Sequence, residues 1–129
     1  MIVSHVLDGA KIRTDLGDKF SIPSDQPAPF GEDTAPSPFD VFLSGVAACT
    51  AYFAQRYCRK WNLSHEGIRV ELDPVFNAQH ALTDVRLRLT VPKDFPRDHL
   101  PGLLRNASAC PVKKALENPP SVALEVVDG

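Results

Sequence analysis

From Leu82 to Val91 apolar and polar residues take turns. Val85, Leu87, Leu89 and Val91 fall on one side, Arg86, Arg88 and Thr90 on the other. A period of two is that of a strand with one wet face. The preceding stretch IRVELDPVF alternates in the same way, and the segment from Asn77 to Ala81 joins the two. The pair is therefore read as an antiparallel hairpin. Near the start of the chain, MIVSHVL and KFSIP read as strands, with turns at Asp8-Gly9 and Leu16-Gly17-Asp18. SVALEVV near the end reads as a last strand, with Val122, Leu124 and Val126 on one face.

Between these segments the alternation stops. Val41, Phe42, Leu43, Val46, Ala47, Ala48, Ala51, Phe53 and Ala54 occupy nearly every side of a helix. A helix apolar all round is expected to be central and buried. Its start is marked by Ser37 as N-cap, Pro38 at the first helical position and Asp40 three residues after the cap. Polarity returns at Gln55, Arg56, Arg59 and Lys60, and Gly67 lies past the end. RDHLPGLLRNASA predicts a second helix, with Pro101 near its first turn. CPVKKALEN predicts a further helical turn, with Cys110 at the N-cap, Pro111 at the first position and Asn118, Pro119 and Pro120 as the stop. The stretch from 23 to 38 holds five prolines and a glycine, so it is a long loop, and loops of that length in small domains are usually functional. Strands and helices do not alternate as βαβ units. The expected class is α+β, with antiparallel sheets around a long buried central helix.

Composition narrows this further. A chain of 129 residues, 43% of them hydrophobic, is expected to form one domain over 1–129 with its own core. A net charge of -2 gives no electrostatic footprint for nucleic acid or an anionic membrane, so neither is expected as a partner. The longest apolar run, about 41 to 54, is too short to cross a bilayer. MIVSHVLDGAKIR lacks the features of a secretory signal, and a cytoplasmic location is the default expectation.

The chemistry rests on three cysteines. An odd count cannot be used up in intramolecular disulfides, and free thiols are expected in a reducing compartment. Cysteine and histidine spacings give no zinc motif, and neither a metal nor a cofactor is expected. His5, His65, His80 and His99 have no partner at a ligand spacing. Cys49 and Cys58 sit on one helix nine residues apart, near opposite faces and about 13 Å apart along the axis, too far for a disulfide. Cys58 is assigned no role. Cys49 on a buried helix is consistent with plain packing as well as with reactivity. Cys110 at an N-cap faces unpaired backbone N–H groups, which favour a thiolate, although a small residue fitting a cap reads equally well.

GEDTAPSPFDVFLSGVAACT, residues 31 to 50, together with ASACPVKKAL, residues 107 to 116, resembles the OsmC/Ohr family. The family carries a loop rich in Gly and Asp, a helix of small apolar residues ending in a Cys, and a second Cys followed by Pro-Val. The resemblance implies an intertwined homodimer whose sheets contain strands from both chains and whose central helices pack together. It implies a peroxidase acting on small organic hydroperoxides in oxidative-stress defence. Cys49 would attack the peroxide and become a sulfenic acid, Cys110 would resolve it as a disulfide, and a dithiol reductant, lipoylated protein in the Ohr branch, would restore the pair. In the peroxidase branches an Arg from the first strands, held by a Glu, compensates the buried thiolate. By elimination Arg13 is the candidate here, with Arg56 a different option. Phe39 occupies the position of that Glu, ten residues before Cys49. Asp40 is either the substitute acid or only the N3 residue of the capping box. Phe39 and Phe42 are assigned to the substrate pocket. The Phe39 substitution also leaves open a redox-responsive or ligand-binding member without efficient peroxidase activity, or a structural dimer with inert thiols.

Overall fold

The computed structural model describes residues 1–129, which fall into two compact units, Met1–Gly45 and Val46–Gly129. The first unit holds a three-stranded antiparallel sheet of β1 (Ile2–Val6), β2 (Ile12–Leu16) and β3 (Phe20–Ser24), in that order. Register aligns Ile2 with Leu16 and Leu16 with Phe20. One face therefore carries Ile2, Val6, Ile12, Leu16, Phe20 and Ile22, and the other His5, Arg13, Asp15 and Ser21. The two outer strands match the sequence reading. The middle strand, IRTDL, was not expected, although its Ile12, Thr14 and Leu16 alternate correctly. Gly9 and Gly17 take left-handed conformations, φ 63° and 65°, at the two turns, where a side chain would be strained.

The proline-rich loop is built around a buried carboxylate. Asp25, 1% exposed, accepts hydrogen bonds from the Thr34 hydroxyl (2.6 Å), the Gln26 amide (2.8 Å) and the Thr34 amide (3.1 Å). Its own amide donates to the Pro36 carbonyl at 3.1 Å, which ties the two ends of the loop. Gly31 packs against Gln26 and Asp25 so closely that a Cβ would collide with both. Those donors, the Thr34 hydroxyl first, hold the Asp25 carboxyl down to about 2.

Helix α1 (Pro38–Lys60) begins as its cap predicts: Ser37 Oγ accepts the Asp40 amide at 3.1 Å. From Val46 onward it belongs to the second unit. There it is joined by β4 (Arg69–Phe76) and β5 (Leu82–Thr90), a 3₁₀ turn at Arg97–His99, α2 (Leu100–Ser108) and α3 (Pro111–Glu117). The hairpin pairs Leu72 with Leu87 on one face, and Glu71 with Arg88 and Asp73 with Arg86 on the other. Its turn is held by Asn77 Oδ1, which accepts the amides of Gln79 (2.9 Å) and Ala81 (3.0 Å).

The core of this unit is Ala54, Tyr57 and Cys58 from α1 against Phe95, Leu103 and Ala107. Spacings of three and four along each helix place these side chains on one stripe. Tyr57 OH hydrogen-bonds His99 Nδ1 at 2.7 Å, and Gly102 lies against the Tyr57 ring with no room for a Cβ. Cys58, with no accessible surface, is a packing residue.

One expectation is met only in part, and another is not met. Helix α1 is not buried on every side: Phe42, Ala48, Tyr52 and Arg56 are exposed, because the chain's own elements cover one stripe. The last predicted strand does not pair. Residues 119–129 form neither strand nor helix, and Val122, Leu124 and Val126 stay exposed. A strand needs a neighbour for its amides and carbonyls, and this chain supplies none.

Candidate active site

Cys49 projects from α1, and Cys110 precedes α3; about 60 residues apart in sequence, they meet in the second unit. Local sequence explains the setting of Cys110. Pro111 fits the first helical position and has no N–H, so the first free amides belong to Val112 and Lys113. Both are turned toward the Cys110 sulfur. The contacts fall outside the geometry of an ordinary side-chain cap, so the amides act on the sulfur as oriented dipoles. The Cys49 side chain is the third group directed at that sulfur, and the Thr50 hydroxyl the fourth. Thr50 has one proton and two acceptors for it, the Val46 carbonyl at 3.0 Å and Cys110 Sγ. The Val46 bond has the better geometry and is the resting one.

The two thiols are shifted in opposite directions. Burial pushes Cys49 up, and the neighbouring Cys110 pushes it further, against the opposing pull of the Val112 amide. Burial works against ionisation of Cys110 too, but the Cys49 thiol, the amides of Lys113 and Val112 and the Thr50 hydroxyl outweigh it and bring Cys110 down. Accessibility is reversed: Cys110 has no exposed surface, and Cys49 is partly exposed.

A cleft of about 260 Å³ shares Thr50 and Lys113 with this pair. Val85, Leu87 and Leu89 of β5 and Leu104 and Ala107 of α2 form its apolar walls; Thr50, Ser108 and Lys113 form the polar edge. Lys113 is held by Glu117 at 2.5 Å. Neither this cleft, which borders Thr50 next to Cys49, nor a larger hollow of about 490 Å³ between Asn62 and Pro96 is itself lined by a thiol. No cluster of three or more His, Cys, Asp or Glu residues could hold a metal ion, and no helix is long and apolar enough to cross a membrane.

Of the residues singled out in the sequence, the structure brings Cys49 and Cys110 together. Arg13, Phe39, Asp40 and Phe42 belong to the first unit. Arg13 Nε donates to Asp15 Oδ1 at 3.2 Å, and Asp15 also takes the Ser21 hydroxyl (2.6 Å) and His5 Nε2 (3.2 Å). Phe39 and Phe42 stack edge to face, with ring centroids 5.5 Å apart. Arg56 lies over the Phe53 ring, 5.6 Å from its centroid. Sequence reasoning missed Thr50 and the cleft walls. Leu87 and Leu89 had been recognised as one strand face, but nothing in the alternation says what that face lines.

The profile of the OsmC-like protein family matches residues 31–125, and the chain belongs to that family. No curated protein sequence matches it. Solved structures agree on the fold. An OsmC-like protein from Mycoplasma pneumoniae superposes with a TM-score of 0.76 at 16% identity, covering 92% of this chain and 87% of that one. A Psychrobacter arcticus protein named for osmotic stress induction and detoxification response gives 0.76 at 20% identity, covering 88% and 85%. An organic hydroperoxide resistance protein of Legionella pneumophila gives 0.63 at 18% identity, covering 90% and 87%.

Proposed function

We propose that this protein is a thiol peroxidase that reduces small organic hydroperoxides in oxidative-stress defence. The observation that carries the reading is the meeting of Cys49 and Cys110 beside a cleft with apolar walls. The more accessible sulfur, Cys49, attacks the peroxide, takes its terminal oxygen as a sulfenic acid and releases the alcohol. Cys110 then displaces water from that sulfenic acid and leaves a disulfide. A dithiol reductant, such as a lipoylated protein, returns both thiols. The cycle needs no cofactor. On the family resemblance, Arg13 and Asp40 are the candidate activating groups, and Phe39 and Phe42 the candidate pocket residues. The working unit is proposed to be a homodimer of one OsmC-like domain per chain, acting in the cytoplasm without nucleic-acid or membrane partners.

A second reading is a redox-responsive or ligand-binding protein that turns over poorly. It is favoured by Phe39 at the Glu position and by the burial that pushes the Cys49 thiol up, against ionisation. One equivalent of cumene hydroperoxide, followed by mass-spectrometric mapping of thiols, separates inert from reactive cysteines. A Cys49–Cys110 disulfide forming within seconds is the expected result; oxidation confined to Cys58 would sink the peroxidase. Steady-state turnover with dihydrolipoamide, abolished by Cys49→Ser, then separates a peroxidase from a slow sensor.

A further inference from the structure

We propose that the cleft between β5 and α2 is a binding site for a small monocarboxylate with an apolar tail, and that Lys113 recognises the head by exchanging Glu117 for it. As a statement about substrate the inference rests on the peroxidase reading, which leaves the organic group of the hydroperoxide undefined. As a statement about binding it stands on the cleft alone.

The walls and the volume set the tail. Five of the eight lining residues, Val85, Leu87, Leu89, Leu104 and Ala107, are apolar, and none of the eight carries a carboxylate. At roughly 30 Å³ for a water-sized group, 260 Å³ hold about nine methylenes or oxygens. That is smaller than the sites that enclose drug-sized ligands. A chain of about eight carbons fills the space, and a long acyl chain exceeds it. Leu104 is 62% exposed, so one wall is apolar surface still open to water, and a bound tail would cover it.

The polar edge sets the head. The Thr50 hydroxyl donates to the Val46 carbonyl at 3.0 Å, so the donors left for a ligand are the Ser108 hydroxyl and the Lys113 ammonium. A head that only accepts hydrogen bonds suits them, and a cationic head does not. The distribution of charge agrees. The whole chain carries -2, yet α2 and α3 carry Arg105, Lys113 and Lys114 against one acid, Glu117. Across the cleft, β5 turns Arg86 and Arg88 to its other face, where Asp73 and Glu71 oppose them. Glu117 does not line the cleft, and its bond to Lys113 is a surface pair one turn apart on α3. Such a pair is worth little, so Lys113 can turn from Glu117 to a ligand carboxylate without a large loss. One lysine and one hydroxyl balance a monoanion; a phosphate dianion would lack a second cation. Thr50 follows Cys49 on α1, so a ligand in the cleft lies against the neighbour of the thiol proposed to attack the peroxide.

The test uses the full chain, with octanoate as probe and 1-octanol as its neutral counterpart. Binding is followed by the methyl NMR signals of Val85, Leu87, Leu89 and Leu104. Octanoate is expected to shift these signals saturably, at one site per chain. It should bind at least about tenfold more tightly than 1-octanol, as one charge-assisted contact commonly gives. Lys113→Met should bring the two probes level. Glu117→Gln should tighten octanoate by about twofold and leave 1-octanol unchanged. Leu104→Gln should weaken both. All three side chains are at least partly exposed, so the variants are expected to keep the fold. Equal affinity of the two probes in the parent, a preference for octanoate that survives Lys113→Met, or shifts confined to the exposed Ile2, Val6 and Val122 overturns the site. Octanoate should also slow turnover of cumene hydroperoxide, and less so in Lys113→Met; turnover untouched by bound octanoate overturns the statement about substrate. If octanoate binds as expected but the parent consumes no peroxide, the peroxidase reading fails and the site stands.

Discussion

Asp25 shows how a single residue escapes sequence reading. Its partner Thr34 lies nine positions away across a loop with no periodicity, so no spacing rule links them. Nothing in PSDQPAPFGEDTAPSP marks which of its acids is buried. The fold makes one of them the organiser of the loop, and this has a consequence in acid. The folded carboxyl titrates at about 2, below the ordinary Asp value of ~3.9. Its contribution to stability is therefore present above about pH 4 and is lost as pH falls toward 2. The thermal midpoint of the parent is expected to drop through that window, and Asp25→Asn should lower the midpoint at neutral pH and remove part of the drop. Circular-dichroism melts at pH 6, 4, 3 and 2 check it. The thiols sit at the other extreme. Their sequence contexts, and the resemblance those contexts carry, named both members of the pair; the opposite shifts of the two depend first on burial and on their mutual contact, and then on the α3 amides, all of which need the folded chain.

At the scale of elements, local chemistry was most legible where it is self-contained. The start of α1 follows from Ser37, Pro38 and Asp40, which act within one turn. Ser37→Ala should cost about 1 kcal/mol, read as a lower urea midpoint at unchanged slope. Strand β2 was overlooked because five residues between two turns make a weak pattern, and because Arg13 and Asp15 place charge on one face of it. The charge is satisfied across the sheet, by Ser21 and His5 on the neighbouring strands, and that pairing is a tertiary fact. The segment SVALEVV was legible as a pattern and not as a structure. Alternation is a property of one chain, whereas a strand is a property of two neighbours.

For the whole molecule the same argument bears on the proposed state of assembly. In the first unit Ile2, Val6 and Phe20 are 69%, 84% and 64% exposed, and in the second Val122, Leu124 and Val126 are 89%, 96% and 95% exposed. Isolated exposed apolar residues need no explanation, but sheet faces and alternating segments of them call for a cover. The proposed cover is a second copy of the chain, with strands shared between sheets as the family resemblance implies. Light scattering at micromolar concentration should give twice the 14.1 kDa of one chain; a stable monomer would count against the dimer. The stability of such a protein depends on its concentration, and the thermal midpoint should rise on concentrating it. Cys58 offers an independent view of the same property. Its sulfur is sealed inside the Tyr57 and Leu103 core and has no catalytic duty to obscure it. In a chain whose other two thiols have been replaced, a reagent can mark Cys58 only when that core parts. The pace of marking is thus a built-in clock for opening of the second unit, readable under native conditions.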